Sequence, residues 1–153
     1  KRIALGADDR RIIATFTRKI NFLVLSGIWC GDCVRQGPML RAIELESPLL
    51  EFRYLDNKAF PELQEELRIN GAEKVPVIVA LSEDFFEIQR FGDRHLSVYR
   101  RKAQSELGPA CDSGISPSLA TELAVEVSEW VLWLERLQLV LRLSPMLRRR
   151  YQD

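Results

Sequence analysis

The 153-residue chain has few of the residues that cross-link a fold or bind a metal. It contains only three cysteines and one histidine, and Cys30 and Cys33 are separated by just two residues. An odd number of cysteines with such close spacing does not fit the disulfide framework of a small secreted protein. A reducing compartment, the cytoplasm, is therefore the expected location.

The chain also lacks a net charge and a long apolar run. Lys plus Arg and Asp plus Glu both number 22, so no overall field attracts a nucleic acid or an anionic membrane. No uninterrupted apolar stretch reaches the roughly 20 residues that span a bilayer, and no basic and apolar leader is present. The first residue is Lys1 and not Met, so the sequence is also consistent with a trimmed chain from which a leader was removed. We expect no nucleic-acid or membrane partner.

Hydrophobic residues make up 46% of the chain, which is enough to bury a core without disulfides at this length. We expect a single domain over residues 1–153. Its core is predicted at about residues 9–92, followed by a helical C-terminal extension at 93–143 and a basic tail at 144–153.

A Trp-Cys-Gly-Asp-Cys motif that follows an apolar run is the most informative stretch. Residues 20–25 predict a strand covered on both faces, and helical spacing begins at Gly31. Cys30 therefore lies where a strand meets a helix, and the N–H groups and positive dipole end of that helix stabilise a thiolate. Cys33, one turn later, can close onto Cys30. The pair predicts a two-electron exchange site whose redox-active disulfide needs no further cofactor.

A Cys-x-x-Cys pair also occurs as half of a zinc site. A structural zinc ion needs four ligands, and the remaining candidates, His95 and Cys111, lack finger-like spacing to the first pair. Metal binding is therefore the weaker interpretation, and no metal ligand is assigned.

The rest of the chain predicts alternating helices and strands. In order these are a helix at 9–19, the strand at 20–25, a helix from Gly31 to Ser47-Pro48, a strand at 51–56, a helix from Pro61, strands at 75–81 and 85–91, a helix at 93–107 capped by Asp93, and a helix at 118–143 capped at Ser116 or Ser118. A loop at 109–117 carries Cys111, which is either a regulatory thiol or a tolerated loop cysteine. This order predicts an α/β three-layer sandwich, with a central mixed sheet of about four strands and helices on both faces.

Apolar stripes predict which helix faces are buried. In the helix from Gly31, which Pro38 should kink, the stripe is Val34, Leu40, Ile43 and Leu45. In the 118–143 helix the stripe over the sheet is Leu119, Leu123, Val127, Trp130, Val131, Leu134, Leu137 and Leu141. A second set on the latter helix comprises Leu132, Trp133, Leu139, Val140 and Leu143. Either the second set packs inside the chain against the 93–107 helix, which we favour, or it forms a homodimer or partner surface.

Four features occur together in the sequence, namely Trp29 before the dithiol, Cys30 and Cys33 at a strand-to-helix junction, Pro38 five residues after Cys33, and Val75-Pro76 opening a strand. Through them residues 22–92 resemble a thioredoxin-fold thiol–disulfide oxidoreductase. The resemblance implies a thioredoxin-like fold that reduces protein disulfides. It also implies an upstream reductant, such as thioredoxin reductase or a small thiol.

The resemblance also implies roles for the matching residues. Cys30 would attack the substrate disulfide and Cys33 would resolve the mixed disulfide. Pro76 would be a cis-proline facing the dithiol, with the backbone of Val75 paired to the substrate peptide like an added strand. Trp29 would form an apolar lip. Modulating roles fall to Gly31, Asp32 and Pro38.

The chain departs from thioredoxins near the dithiol. Val24 stands where thioredoxins carry a buried aspartate that assists the resolving thiol, and Phe52 replaces its lysine partner, so resolution would use water or another carboxylate. Asp32 either disfavours a thiolate at Cys30 or merely suits the helix dipole. The first interpretation predicts a reductant and not a strong oxidant. His95 is expected to have no catalytic duty.

The leading function is thus reduction of protein disulfides. The alternative is a thioredoxin-fold redox sensor or partner-binding module with slow or no turnover.

Overall fold

The computed structural model describes residues 3–108 and 119–152. In chain order its elements are α1 (Ala7–Ile13), β1 (Ile20–Ser26), α2 (Gly31–Glu44), β2 (Leu50–Asp56), α3 (Pro61–Glu66), β3 (Val77–Leu81), β4 (Glu87–Gly92), α4 (Leu96–Leu107), α5 (Leu119–Arg142) and α6 (Pro145–Tyr151). The loop predicted at 109–117, with Cys111, and the caps predicted at Ser116 and Ser118 lie outside these residues.

The four strands form one mixed sheet in the order β2-β1-β3-β4. Strand β1 runs parallel to β2, with Ile20 opposite Leu50, and antiparallel to β3, with Val24 opposite Ile78. Strands β3 and β4 form an antiparallel hairpin. Because β1 has a neighbour on each side and is covered on both faces, it carries the near-continuous apolar run that its sequence shows.

Side chains of β1 and β3 alternate between two apolar clusters. Phe22 and Ile78 point to the larger cluster, which α1, α2, α5 and α6 complete. Leu25 and Val77 point to the opposite face, where Leu67 and Cys33 join them. The predicted mixed four-stranded sheet with helices on both faces and a C-terminal helical extension is therefore confirmed.

Helix α5 supplies much of the larger cluster. Trp130, Leu134 and Leu137 are fully buried, as the first stripe predicts. In the second set only Trp133 packs against this cluster, whereas Leu132, Leu139, Val140 and Leu143 are exposed. The favoured intramolecular contact is wrong for these four residues.

The reason is the position of α4, which contacts α5 through Ser97 on Glu129 and Arg101 on Glu126. These contacts lie in the first half of α5, so α4 leaves the later turns uncovered. The homodimer surface stays a prediction. None of the helices within the described ranges is both long and apolar enough to cross a bilayer.

Helix α2 differs from its predicted stripe. Val34 and Leu45 are exposed instead of inward, and the buried positions are Cys33, Gln36, Met39, Leu40 and Ile43. The buried face is thus the one that continues from Cys33 at three- and four-residue steps. The helix runs through Pro38 from Gly31 to Glu44.

Helix α4 and the C-terminal segment also differ in detail from the sequence patterns. Helix α4 begins at Leu96 with His95 as its N-cap, so Asp93 is not the cap that the sequence suggested. The basic cluster near the C-terminus lies on α6, where Arg150 forms an ion pair with Asp84 at 2.6 Å.

Two leucines on α5 provide a matched test of this packing. Leu134→Ala should lower the free energy of unfolding by about 2–5 kcal/mol, because a fully buried side chain leaves a cavity. Leu132→Ala, on a side chain that is 56% exposed, should lower it by less than about 1 kcal/mol. Urea unfolding followed by circular dichroism measures both values, and equal losses would contradict the assignment of the outer face.

Candidate functional site

Cys30 occupies the N-cap of α2, immediately after β1 and a tight turn. Its backbone N–H donates to the carbonyl of Gly27 at 3.0 Å, which closes the turn. Its sulfur accepts the backbone N–H of Cys33 at 3.5 Å. This N–H is one of the donors that a helix leaves unpaired at its N-terminus, where the dipole also favours a negative charge. The site therefore places a half-exposed thiol where a thiolate is stabilised.

The segment before β3 lies against this thiol. The Val75–Pro76 peptide bond is cis, and the Cys30 thiol donates to the Val75 carbonyl oxygen at 3.3 Å. Pro76 is buried directly before the first residue of β3, where no ladder donor is lost. The structure thus brings together Cys30, Cys33, Val75 and Pro76, as the sequence predicts.

Cys33 is the buried member of the pair and is 7% exposed. Burial raises the pKa of its thiol to about 11, although hydrogen bonds with the Ser26 side chain and the Gly27 backbone favour the thiolate. Val24, at the position of the missing aspartate, packs in the larger apolar cluster, whereas Cys33 lies in the cluster on the opposite face of the sheet. Sequence patterns did not single out Ser26, whose hydroxyl is the polar side chain beside this thiol.

Trp29 and Ile28 form an exposed apolar surface next to Cys30 in the chain, at 59% and 97% exposure. The indole of Trp29 lies against Gly27, where an added Cβ would come within 2.5 Å of the indole nitrogen. The Lys58 ammonium lies 5.7 Å from the centre of the Trp29 ring. Gly27 is therefore needed for the indole to take this position, a requirement that only the three-dimensional structure reveals.

Asp32 does not stand as an unpaired carboxylate. It forms an ion pair with Arg94 at 2.5 Å, and this hydrogen bond raises the pKa of the Arg94 guanidinium. The argument that Asp32 opposes a thiolate at Cys30 assumed no such partner. Arg94 was not singled out in the sequence, although it follows the end of β4, and β4 ends opposite the start of β3 with Gly92 paired to Val77.

Asp93 is buried beside this ion pair. Its carboxylate accepts the hydroxyl of Tyr99 and pairs with Arg94 at 3.1 Å and Lys74 at 3.5 Å. Burial alone would raise the pKa of Asp93, but Tyr99, Lys74 and Arg94 outweigh it and lower the pKa. The backbone carbonyl of Asp93 accepts the side-chain N–H of Gln36, on α2, at 2.8 Å. The loop after β4 is thus fastened to α2.

The two remaining predicted modulators, Gly31 and Pro38, lie on α2. Gly31 is the first helical residue and exposed, and an added Cβ there would meet nothing within 4 Å. Pro38 is exposed further along the helix and lines a surface cavity of about 530 Å³ together with Arg41 and Leu45. A modulating role for either residue stays a prediction.

His95 lies inside an aromatic cluster. Its ring centre is 4.6 Å from that of Phe91 and 4.4 Å from that of Trp130. Burial lowers the pKa of His95 to about 4, although the nearby Glu129 and Glu126 act in the opposite direction. The imidazole is therefore neutral near pH 7. Within residues 3–108 and 119–152 no group of three or more His, Cys, Asp or Glu residues is placed to hold a metal ion.

A half-exposed thiol at a helix N-cap, a buried thiol one turn later and an adjoining cis-proline, on a mixed four-stranded sheet, define a thioredoxin-fold dithiol protein. The family model described as Thioredoxin matches residues 1–102. The chain belongs to the thioredoxin family.

Two solved structures with TM-scores of 0.60 or more agree on the fold. A protein of unknown function from Pseudomonas aeruginosa is 18% identical with a TM-score of 0.65, and the match covers 88% of this chain and 74% of that one. An HIV epitope scaffold matches over the same shares at 18% identity and a TM-score of 0.60. A thioredoxin from Nicotiana alata is 16% identical with a TM-score of 0.43, over 65% of this chain and 86% of that one. No curated protein matches the chain.

The buried imidazole predicts a specific acid sensitivity. The unfolded chain takes up a proton at His95 below about pH 6.5, whereas the folded chain does so only near pH 4. The stability that the neutral imidazole of His95 contributes is therefore complete above about pH 6.5. As the pH falls toward 4, the free energy of unfolding decreases by about 2–3 kcal/mol. His95→Phe, which cannot titrate, should lose less stability than the parent chain between pH 7.5 and 4.5. Urea unfolding at both pH values checks this, and an unchanged difference between the two proteins would contradict it.

Proposed function

We propose that the protein is a thiol–disulfide oxidoreductase that reduces protein disulfides through Cys30 and Cys33. The observation that carries the proposal is the place of the Cys30 sulfur, at the N-cap of α2 and 3.3 Å from the carbonyl of Val75 before the cis-proline. Membership of the thioredoxin family supports the same kind of chemistry. The reaction needs a nucleophilic sulfur that a disulfide can reach and a second sulfur within reach of the first.

In the first step the Cys30 thiolate attacks one sulfur of the substrate disulfide. The substrate S–S bond breaks, a mixed disulfide forms with Cys30, and the other substrate sulfur leaves as a thiolate that takes up a proton. Loss of the Cys30 proton also frees the Val75 carbonyl from its hydrogen bond with the thiol. That carbonyl can then accept a backbone N–H of an extended substrate segment, with Trp29 and Ile28 as apolar contacts.

In the second step Cys33 gives up its proton to solvent and attacks the Cys30 sulfur. The Cys30–Cys33 disulfide forms, the mixed disulfide breaks, and the second substrate thiol is released. Two electrons have then passed from the dithiol to the substrate. An upstream reductant, such as thioredoxin reductase or a small thiol, must return them, and a reducing compartment such as the cytoplasm supplies such donors.

The contacts of Cys30 support a reducing poise. In the described part of the chain its sulfur accepts one backbone N–H at a long 3.5 Å, from Cys33, and no cation is paired with it. Strong oxidants owe their potential to a strongly stabilised reduced form. We therefore expect a midpoint potential near or below about −250 mV.

One observation favours the second candidate function, a redox sensor or partner-binding module with slow turnover. Burial raises the pKa of the Cys33 thiol to about 11, and the side chains that act on it, Ser26 and Cys30, supply no carboxylate. Slow resolution would prolong the covalent complex with a partner.

Cysteine variants test the roles of the two sulfurs. Cys30→Ser should lower insulin reduction with dithiothreitol by about 100-fold or more, because no nucleophile remains for the first step. Cys33→Ser should accumulate a mixed disulfide with the substrate, seen as a dithiothreitol-sensitive adduct by mass spectrometry. Cys111→Ser is the matched control and should retain the activity. Reduction that survives in Cys30→Ser would remove the proposed mechanism.

The pH dependence of resolution tests the role of the buried thiol. In a Cys111→Ser background, Ellman's reagent forms a mixed disulfide with Cys30 and releases one thionitrobenzoate, and attack by Cys33 releases a second. The second release should speed up by about tenfold per pH unit from pH 7 to 10, because the Cys33 pKa lies near 11 and only its thiolate attacks. Stopped-flow absorbance measures both phases, and Cys33→Ser should lack the second. A rate independent of pH would show that proton loss from Cys33 does not limit resolution.

A further inference from the structure

A charged pair joins the dithiol motif to the chain that follows β4, whose last residue, Gly92, pairs with Val77 at the start of β3. Asp32 is the second residue of α2, two positions after Cys30, and Arg94 lies in the loop after β4. Their side chains meet at 2.5 Å, and each is 24% exposed. This ion pair links the helix that carries both cysteines to the loop that lies beside the cis-proline.

Arg94 is held in place from several directions. Its guanidinium pairs with the buried Asp93 at 3.1 Å and lies 6.0 Å from the centre of the Tyr99 ring. Asp93 is itself fixed by the Tyr99 hydroxyl and, through its backbone, by Gln36 of α2. A guanidinium fixed in this way is pre-organised for a carboxylate, which a flexible surface lysine would not be.

The charges of this cluster balance. Asp32, Asp93 and Glu106, which acts on Arg94, carry three negative charges, and Arg94, Lys74 and Lys102, which pairs with Glu106 at 2.8 Å, carry three positive ones. The Cys33 thiol also contacts Cys30, and it is neutral at pH 7 because its pKa is about 11. Without Arg94 a net negative charge would remain beside Cys30, and a nearby like charge disfavours a thiolate. That effect would oppose the stabilisation that the N-terminus of α2 provides.

We propose that Arg94 is a positioning residue of the dithiol, which pairs with Asp32 and so prevents that carboxylate from opposing the thiolate at Cys30. The inference rests on the proposed function in one respect, since it takes Cys30 as the attacking sulfur. Under this inference Asp32, which lies between the two cysteines in the chain, has a functional partner, Arg94, outside the Cys-x-x-Cys motif. The reactivity of Cys30 is then set jointly by α2 and by the loop after β4.

The test is the pH profile of alkylation of the fully reduced protein by iodoacetamide, with the label at Cys30 located by peptide mass. Arg94→Gln should move the midpoint of the profile upward by about half to one pH unit, which is a loss of about three- to tenfold in rate below the midpoint. Arg94→Lys keeps the positive charge, and its midpoint should lie much closer to the parent value than that of Arg94→Gln. Asp32→Asn combined with Arg94→Gln should return the midpoint to within about 0.3 of the parent value, because both charges are then gone.

Two further variants keep the test decisive if Arg94→Gln disturbs the fold. Arg94→Met retains an unbranched stem against Tyr99 and should show the same upward shift. Asp32→Asn alone leaves Arg94 bound to Asp93 and should move the midpoint downward, because one negative charge beside the thiol is removed while the positive charge of Arg94 stays. Circular dichroism verifies that each variant is folded.

An unchanged midpoint in a folded Arg94→Gln or Arg94→Met variant would overturn the inference, as would a shift that Asp32→Asn fails to reverse. In the latter case Arg94 acts by holding the loop and not through its charge. Alkylation needs neither a protein substrate nor Cys33, so this result is independent of the insulin assay. A protein without reductase activity that still shows the paired shifts would contradict the proposed function and leave the role of Arg94 intact.

Discussion

The buried carboxylate of Glu126 fixes how α4 and α5 pack against α2, the helix that begins at the dithiol. It is fully buried on α5 and accepts hydrogen bonds from Arg35 of α2, the shortest at 2.7 Å, and from Arg101 of α4. Burial alone would raise the pKa of Glu126, but the two arginines outweigh it and lower the pKa. A buried charge without a partner is strongly destabilising, so α5 can pack as it does only when both arginines reach it. Because Arg35 is two residues after Cys33, this constraint also orients the start of α2.

The helical extension therefore contacts the segment before β1 directly and reaches the dithiol site through α4. At the entry, Gln138 of α5 accepts the backbone N–H groups of Thr17 and Arg18 and donates to the Arg18 carbonyl at 2.6 Å. On the side of the dithiol, Glu129 of α5 binds α4 by accepting the backbone N–H of Ser97 at 3.1 Å. Helix α4 in turn carries Tyr99, which fixes the charged loop beside the dithiol. The extension thus belongs to the architecture of the site, although none of its residues lies in the Cys-x-x-Cys motif.

The sequence predicted the parts of the molecule that local patterns determine. The apolar run of β1, the helix start at Gly31 and the proline before β3 were enough to place four site residues together. Contacts between distant segments could not be predicted in this way. Arg94 and Asp32 are 62 positions apart, and their pairing depends on where β4 ends and α4 begins. The uncovered face of α5 could not be predicted for a similar reason. An apolar stripe shows which residues share a helix face, but it does not show whether a neighbouring helix covers that face.

The two sulfurs have environments that separate the two chemical steps under the proposed function. Cys30 lies at a helix N-terminus with its adjacent carboxylate neutralised, which suits attack on a substrate. Cys33 is buried in the smaller apolar cluster, and this burial raises its pKa to about 11. The attack then depends on groups that are already in place, whereas resolution depends on the loss of the Cys33 proton, and among the described residues the groups that act on this thiol, Ser26, Gly27 and Cys30, include no carboxylate. On the proposed mechanism, the loss of that proton sets the lifetime of the mixed disulfide, and this lifetime distinguishes a reductase with rapid turnover from a protein that holds its partner covalently.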